Sequence, residues 1–247
     1  MLFSQSSKIA PDLIFLSEVD STNLELARRN ALSALSDLSV LAAARQTEGQ
    51  GRMGRTWVSE PGTSVSVSIL LRPNSERIGS WVTLLAAASA RQAIHHLTGQ
   101  KIQIKWPNDL LFEDKKLSGI LAQLQPDGSI VLGVGINLRN QTGAPETATS
   151  LSAMGSEPDF DQVLAAFLTA FFARWSVMQT SPDLVIDKTR AELLENSATI
   201  GKQVRAILPG GDELIGLAVD IDSAGHLVIN TPEPVVLAAA DVWHLRN

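Results

Sequence analysis

Residues 46–57, QTEGQGRMGRTW, constrain this chain more than any other stretch. Gly49, Gly51 and Gly54 alternate with Arg52 and Arg55, and apolar, strand-like runs lie on either side at 40–45 and 63–71. Glycine lets the backbone approach a ligand closely or take up positive φ. Arginine supplies rigid, multi-donor cations suited to phosphate or carboxylate oxygens. A flexible backbone beside fixed positive charge, held between two strands, suits a loop that orders around an anion. A solvated glycine-rich hairpin with two surface arginines fits the local composition as well. The stretch lacks the GK[ST] ending of a P-loop and the glycine spacing of a dinucleotide-binding turn, so any nucleotide here rests on arginine contacts.

Around that loop the chain alternates between strand and helix signals. A short strand is expected within 13–19, then DSTN at 20–23, where Asp20, Ser21 or Thr22 can cap a helix through 24–35. TSVSVSILL at 63–71 has the alternation of a half-buried strand, and 78–97 has helical spacing. Strand, turn and strand return are expected across 109–116, with the turn at Glu113-Asp114. Pro126-Asp127-Gly128 marks a second hairpin between runs at 120–124 and 130–138. Helical patterns return at 160–175 and 184–195. From Ala198 the character changes to short β-like runs separated by PGG, DSAG and TPEP. The division expected is 1–197 for a mixed α+β domain and 198–247 for a small β-barrel-like domain that leans on it.

Composition narrows the chemistry. The chain has 247 residues and no cysteine, which excludes disulfides, thiolate metal sites and cysteine nucleophiles. It carries four histidines, two of them adjacent at His95 and His96, too few for a histidine-rich metal site. A net charge of −6 argues against nonspecific nucleic-acid binding, while a local basic loop can still hold a nucleotide. The N-terminus has no secretory pattern and no run reaches the length of a membrane span, so a cytoplasmic location and no membrane association are expected.

Three further stretches can carry chemistry. In KWPND, Asn108 and Asp109 stand at a strand end; Asp109 can help carry Mg²⁺, and Lys105 or Asn108 can touch phosphate or ribose. A rigid turn with side-chain hydrogen bonds is the alternative there. In KKLSGI, Lys116 leads into an apolar run, so its ammonium can point inward, with Gly119 allowing close passage of a ligand; a solvated hairpin edge is the alternative. In GVGIN, alternate glycines at 133 and 135 leave one strand face bare, making room for a ligand or another backbone, with Asn137 at the end of the run.

DSTN at 20–23, QTEGQGRMGRTW at 46–57, KWPNDL at 105–110, KLSGIL at 116–121 and GVGINL at 133–138 occur in the order found in biotin protein ligases. The chain resembles that family, the biotin–[acetyl-CoA-carboxylase] ligases, over nearly its whole length, including a C-terminal β domain ending in VWHLR. The resemblance implies a class II aminoacyl-tRNA synthetase-like catalytic domain, a mixed sheet flanked by helices, followed by an SH3-like β-barrel. With DSTN beginning at residue 20, it implies the monofunctional type, without an N-terminal DNA-binding domain and without DNA binding. One departure is Gln50, where the family usually carries arginine.

The activity implied is ATP-dependent activation of biotin as biotinyl-5'-AMP, with Mg²⁺, and transfer to one lysine of an apo biotin carboxyl carrier protein. Lys116 and Arg52 are implied as the catalytic cations. Ser21, Thr22, Asn23, Gln46, Gly49, Gln50, Gly51, Arg52, Lys116, Gly119 and Gly135 are implied on the biotin side. Arg52, Arg55, Trp57, Lys105, Asn108 and Asn137 are implied on the nucleotide side, and Asp109 as the metal-side carboxylate. A homodimer and a monomer both stay open. So do a lipoate or octanoyl ligase of the same superfamily, and a binding module that holds biotin or nucleotide without forming an adenylate.

Overall fold

A computed structural model describes residues 3–57, 59–208, 211–238 and 240–245. Strands β1 (Ile14–Leu16), β2 (Val40–Ala43), β3 (Ser64–Leu71), β4 (Gln103–Lys105), β5 (Asp109–Phe112), β6 (Lys115–Leu124) and β7 (Ile130–Asn137) form one sheet. Their order is β1-β2-β3-β7-β6-β5-β4, with β1 and β2 parallel and every other neighbouring pair antiparallel. Helices α1 (Ser6–Ile9), α2 (Thr22–Leu32), α3 (Glu76–Thr98), α4 (Phe160–Met178) and α5 (Pro182–Glu195) complete this part. The mixed sheet flanked by helices expected from the resemblance is therefore present.

Strand alternation assigns the two faces of the sheet. Val65, Val67, Ile69 and Leu71 of β3 and Leu132, Val134 and Ile136 of β7 join one apolar core with Trp81, Leu85, Phe167 and Phe171 of α3 and α4. On the other face Leu26 of α2 closes a small cluster with Leu41, Leu70 and Val131. Among the described residues helix α2 covers that end, and the segment 46–57 lies over the part of this face at Gly119 and Gly135. Helix ends follow from sequence: Ser75 caps α3, Gly99 ends it in the left-handed conformation, and Asp159 with Gln162 forms a capping box on α4. No helix among the described residues is long and apolar enough to cross a membrane.

Strands β8 (Gln203–Ile207), β9 (Glu213–Ile221), β10 (Leu227–Asn230), β11 (Pro234–Leu237) and β12 (Asp241–His244) form a second, antiparallel sheet in the order β11-β10-β9-β8-β12. This corrects the expected SH3-like β-barrel: among the described residues no ladder joins β11 to β12, and the sheet is open. Its apolar face supplies the physical reason. Val204, Ala206, Ala218, Ile221, Leu227 and Ile229 merge into the same core as α3 and α4, so the larger part covers that face and closure is not needed to bury it. Trp81 Nε1 donates to the Ser223 carbonyl at 3.1 Å and Trp106 Nε1 to the Gly225 carbonyl at 3.0 Å, pinning the β9–β10 turn. Pro209 and Gly210 of the PGG turn, and Arg246 of VWHLR, lie outside the described residues.

Candidate active site

Three strands build the floor of a trough from small residues. Ser66 of β3 stands opposite Gly135 of β7, which stands opposite Gly119 of β6; one step along, Ser68 faces Gly133 and Gly133 faces Leu121. Ser64, Ser66 and Ser68 are buried, against the half-buried strand expected. Ser59 Oγ lies 3.0 Å from Ser64 Oγ and 3.1 Å from Ser66 Oγ, which gives two of these hydroxyls partners away from water. Sequence reasoning missed the serines because alternation alone does not distinguish a solvent face from a site face. The signal available was that β3 pairs its serines with the glycines of β7.

The start of α2 forms one wall. Ser21 occupies the N-cap position without a side-chain capping bond, and Thr22 and Asn23 turn inward, so none of the three acts as a cap. Gln46 Oε1 accepts from Thr22 N at 2.8 Å and Thr22 Oγ1 at 3.0 Å. Ser68 Oγ lies 2.6 Å from Asn23 Oδ1, while Asn23 Nδ2 donates to Gln123 Oε1 at 2.8 Å. A Cβ at Gly133 would fall 2.3 Å from Asn23 Oδ1, so this glycine makes room for the asparagine. Asp20 faces outward: bonds from Arg28 at 2.8 and 2.7 Å hold its carboxyl down at about 2.

Residues 46–57 form a hairpin over the trough rather than an open loop. Gly51 N donates to Arg55 O and Trp57 N to Gly49 O, both at 2.7 Å, and Met53 and Gly54 turn the tip with φ of 53° and 72°. Gly49 is required by close approach, since a Cβ there would lie 2.3 Å from the Trp57 carbonyl oxygen. The Trp57 indole lies across the bare floor: a Cβ would meet it at 2.4 Å from Gly135 and 3.1 Å from Gly119. What the glycines admit here is a side chain, not another backbone. Trp57 Nε1 is buried and has no hydrogen-bond partner among the described residues.

Lys116 on β6 and Asp109 on β5 meet at 2.7 Å in an ion pair. The angle is poor for a hydrogen bond, so Asp109 Oδ1 is buried with the ammonium as its ionic partner. Lys116 Nζ also lies 5.9 Å from the Trp57 ring centroid. Arg52 Nη1 donates to Asn108 Oδ1 at 3.2 Å, while Asn108 Nδ2 donates to the Ile120 carbonyl at 2.9 Å. The trough thus gathers Ser21, Thr22, Asn23, Gln46, Gln50, Gly51, Arg52, Arg55, Trp57, Asn108, Asp109, Lys116, Gly119 and Gly135. Three expected residues stand elsewhere. Gly49 is buried against the Trp57 carbonyl and Gln46 and lines a neighbouring groove with Thr47 and Met53, and Lys105 lines an adjoining cleft with Lys202 and His244. Asn137 Nδ2 donates to the Thr149 carbonyl at 2.9 Å, tying down the segment after β7.

The donor set does not fit a resident metal ion. Asp109 is the one carboxylate among the described residues lining the trough, it is ion-paired, and no cluster of three or more potential ligands occurs among them. About 120 Å³ of the trough is open, well below the ~300–1,000 Å³ of typical ligand pockets.

The comparisons with known proteins agree with this geometry. The Biotin/lipoate A/B protein ligase family matches residues 11–140, and the Biotin protein ligase C terminal domain matches residues 199–245. The chain belongs to the biotin/lipoate A/B protein ligase family. It is 36% identical to the biotin–[acetyl-CoA-carboxylase] ligase of Mycobacterium tuberculosis, over 94% of this chain and 88% of that protein. It is 35% identical to the bifunctional ligase/repressor BirA of Bacillus subtilis, over 89% of this chain and 69% of that one. Among solved structures, the biotin protein ligase of Aquifex aeolicus in complex with biotin and ATP superposes with a TM-score of 0.79 at 28% identity. That match covers 96% of this chain and 99% of the Aquifex chain. The trough combines a bare floor with Lys116, Arg52 and Arg55.

Proposed function

We propose that the chain is an ATP-dependent ligase that activates biotin as biotinyl-5'-AMP and transfers the biotinyl group to a lysine of a biotin carboxyl carrier domain. The observation that carries this reading is the convergence of Lys116, Arg52 and Arg55 on a trough floored by Gly119 and Gly135. In the first step a carboxylate oxygen of biotin attacks the α-phosphorus of ATP. The bond from that phosphorus to the bridging oxygen of the β-phosphate breaks, and pyrophosphate leaves. Both reactants are anions, so positive charge placed in advance lowers the barrier; one such donor contributes about 10²–10³ in rate.

Lys116 is suited to that role because Asp109 and the Trp57 ring fix its ammonium at the trough. Arg52, anchored by Asn108, supplies a second cation from above. Gln46, Thr22 and Asn23 offer donors and acceptors for the ureido group of biotin, and Trp57 Nε1 is a further donor without a partner among the described residues. Mg²⁺ enters as the counter-ion of the nucleotide phosphates, in keeping with a donor set that holds no metal of its own.

In the second step the carrier lysine amine attacks the acyl carbon. The bond from that carbon to the phosphate oxygen breaks, AMP leaves, and one proton is lost from nitrogen. The hairpin over the trough shields the mixed anhydride from water between the steps. The test is incubation with Mg-ATP and either biotin or lipoate, with mass detection of the acyl-adenylate and assay of pyrophosphate. Biotinyl-AMP with stoichiometric pyrophosphate is expected. A lipoyl-AMP product instead would move the chain to the lipoate ligases, and ligand binding with no adenylate would leave a binding module.

A further inference from the structure

We propose that the C-terminal sheet clamps the arginine hairpin over the trough, with Trp243 as the positioning residue for Arg55 and the Ala240 carbonyl as the anchor of Arg52. Two contacts from different residues carry the proposal. Arg55 Cζ lies 5.9 Å from the Trp243 ring centroid, within the range of a cation–π contact. Arg52 Nη2 donates to the Ala240 carbonyl at 3.2 Å across 188 positions of sequence.

Trp243 is itself held in place. It stands opposite Arg205 across the β8–β12 ladder, and Arg205 Cζ lies 5.3 Å from the same ring. Arg205 in turn pairs with Glu213 on β9 at 3.4 Å, so the indole is presented by a network within the second sheet. The hairpin needs outside support. Two backbone bonds flank its tip, Gly51 to Arg55 and Trp57 to Gly49, and a two-stranded hairpin of this kind is marginal alone. Gln46 and Thr22 hold its base, and Trp243 and Ala240 hold its tip through Arg55 and Arg52. The same two arginines face the trough, so the contacts that close the hairpin also aim its cations.

The clamp is tested in the ligand-free protein by hydrogen exchange at the Gly51 and Trp57 amides. Trp243→Ala is expected to speed exchange there by about three- to tenfold, and Trp243→Phe, which keeps an aromatic face, to restore most of the protection. Val236→Ala, exposed on the opposite edge of the sheet, is the control for general loosening.

The second readout rests on the ligase reading: Trp243→Ala should release biotinyl-AMP faster by a similar factor. Unchanged exchange at the hairpin in Trp243→Ala, or equal acceleration by Val236→Ala, would overturn the clamp. If the wild-type chain forms no biotinyl-AMP, the ligase reading fails, and the exchange comparison still decides the clamp.

Discussion

On the helix face of β3, Val65, Val67, Ile69 and Leu71 pack into the core of α3 and α4, while on the opposite face Ser64, Ser66 and Ser68 are just as fully withdrawn from water. Burial means different things on the two sides. Apolar area removed from water stabilises at about 25 cal/mol per Å². A buried hydroxyl costs free energy unless it finds a partner, and here the partners are Ser59, Thr22 and Asn23. β7 repeats the division, with Leu132, Val134 and Ile136 toward the helices and Gly133 and Gly135 toward the trough. One strand parity packs against α3 and α4; the other carries Leu70 and Val131 under α2 and small residues, Ser66, Gly133 and Gly135, at the trough.

Substitutions on the two faces should therefore separate stability from activity. Ile69→Ala, on the helix face, should cost about 2–5 kcal/mol in denaturant unfolding and leave KM for biotin unchanged in the surviving folded protein. A raised KM with full stability would erase the distinction. Lys116→Ala, on the trough side, should slow biotinyl-AMP formation by about 10²–10³ in the folded protein, and because it strips the buried Asp109 Oδ1 of its ionic partner it should lower the unfolding midpoint as well. Ser68→Ala sits at the boundary, since its hydroxyl reaches Thr22 at 2.8 Å and Asn23 at 2.6 Å. Leaving those groups without it should cost about 1–3 kcal/mol and raise KM for biotin more than it lowers kcat.

The smallest effect probes the cleft between the sheets. Burial, followed by the charges of Lys105 and Lys202, lowers the His244 pKa from 6.5 to about 4. Below pH 6.5 the unfolded chain then binds a proton that the folded chain refuses, so this contribution is full above that pH and fades toward pH 4. His244→Gln should flatten the fall in stability across that window by about 1–2 kcal/mol, measured by unfolding at several pH values.

Much of the frame was legible because it depends on local chemistry. Glu113 and Asp114 both take positive φ at the turn expected there, and the Pro126-Asp127-Gly128 hairpin joins β6 to β7. The ordered motifs were enough to bring fourteen expected residues into one trough. What stayed hidden depends on distant partners. Serine alternation in β3 has the same appearance whether the serines face water or a ligand. Nothing near Arg52 in sequence points to Ala240, and nothing near Arg55 points to Trp243. The open second sheet was equally invisible, since short β runs do not reveal whether their apolar face closes on itself or on a neighbouring core.

The central claim, that the trough face performs acyl transfer through an adenylate, is tested most directly by intact mass. An apo biotin carboxyl carrier domain is incubated with this protein, biotin and Mg-ATP. The account predicts a gain of one biotin on the carrier, lost when its acceptor lysine is replaced and strongly reduced with Lys116→Ala. A carrier of unchanged mass, with no biotinyl-AMP in solution, would contradict it.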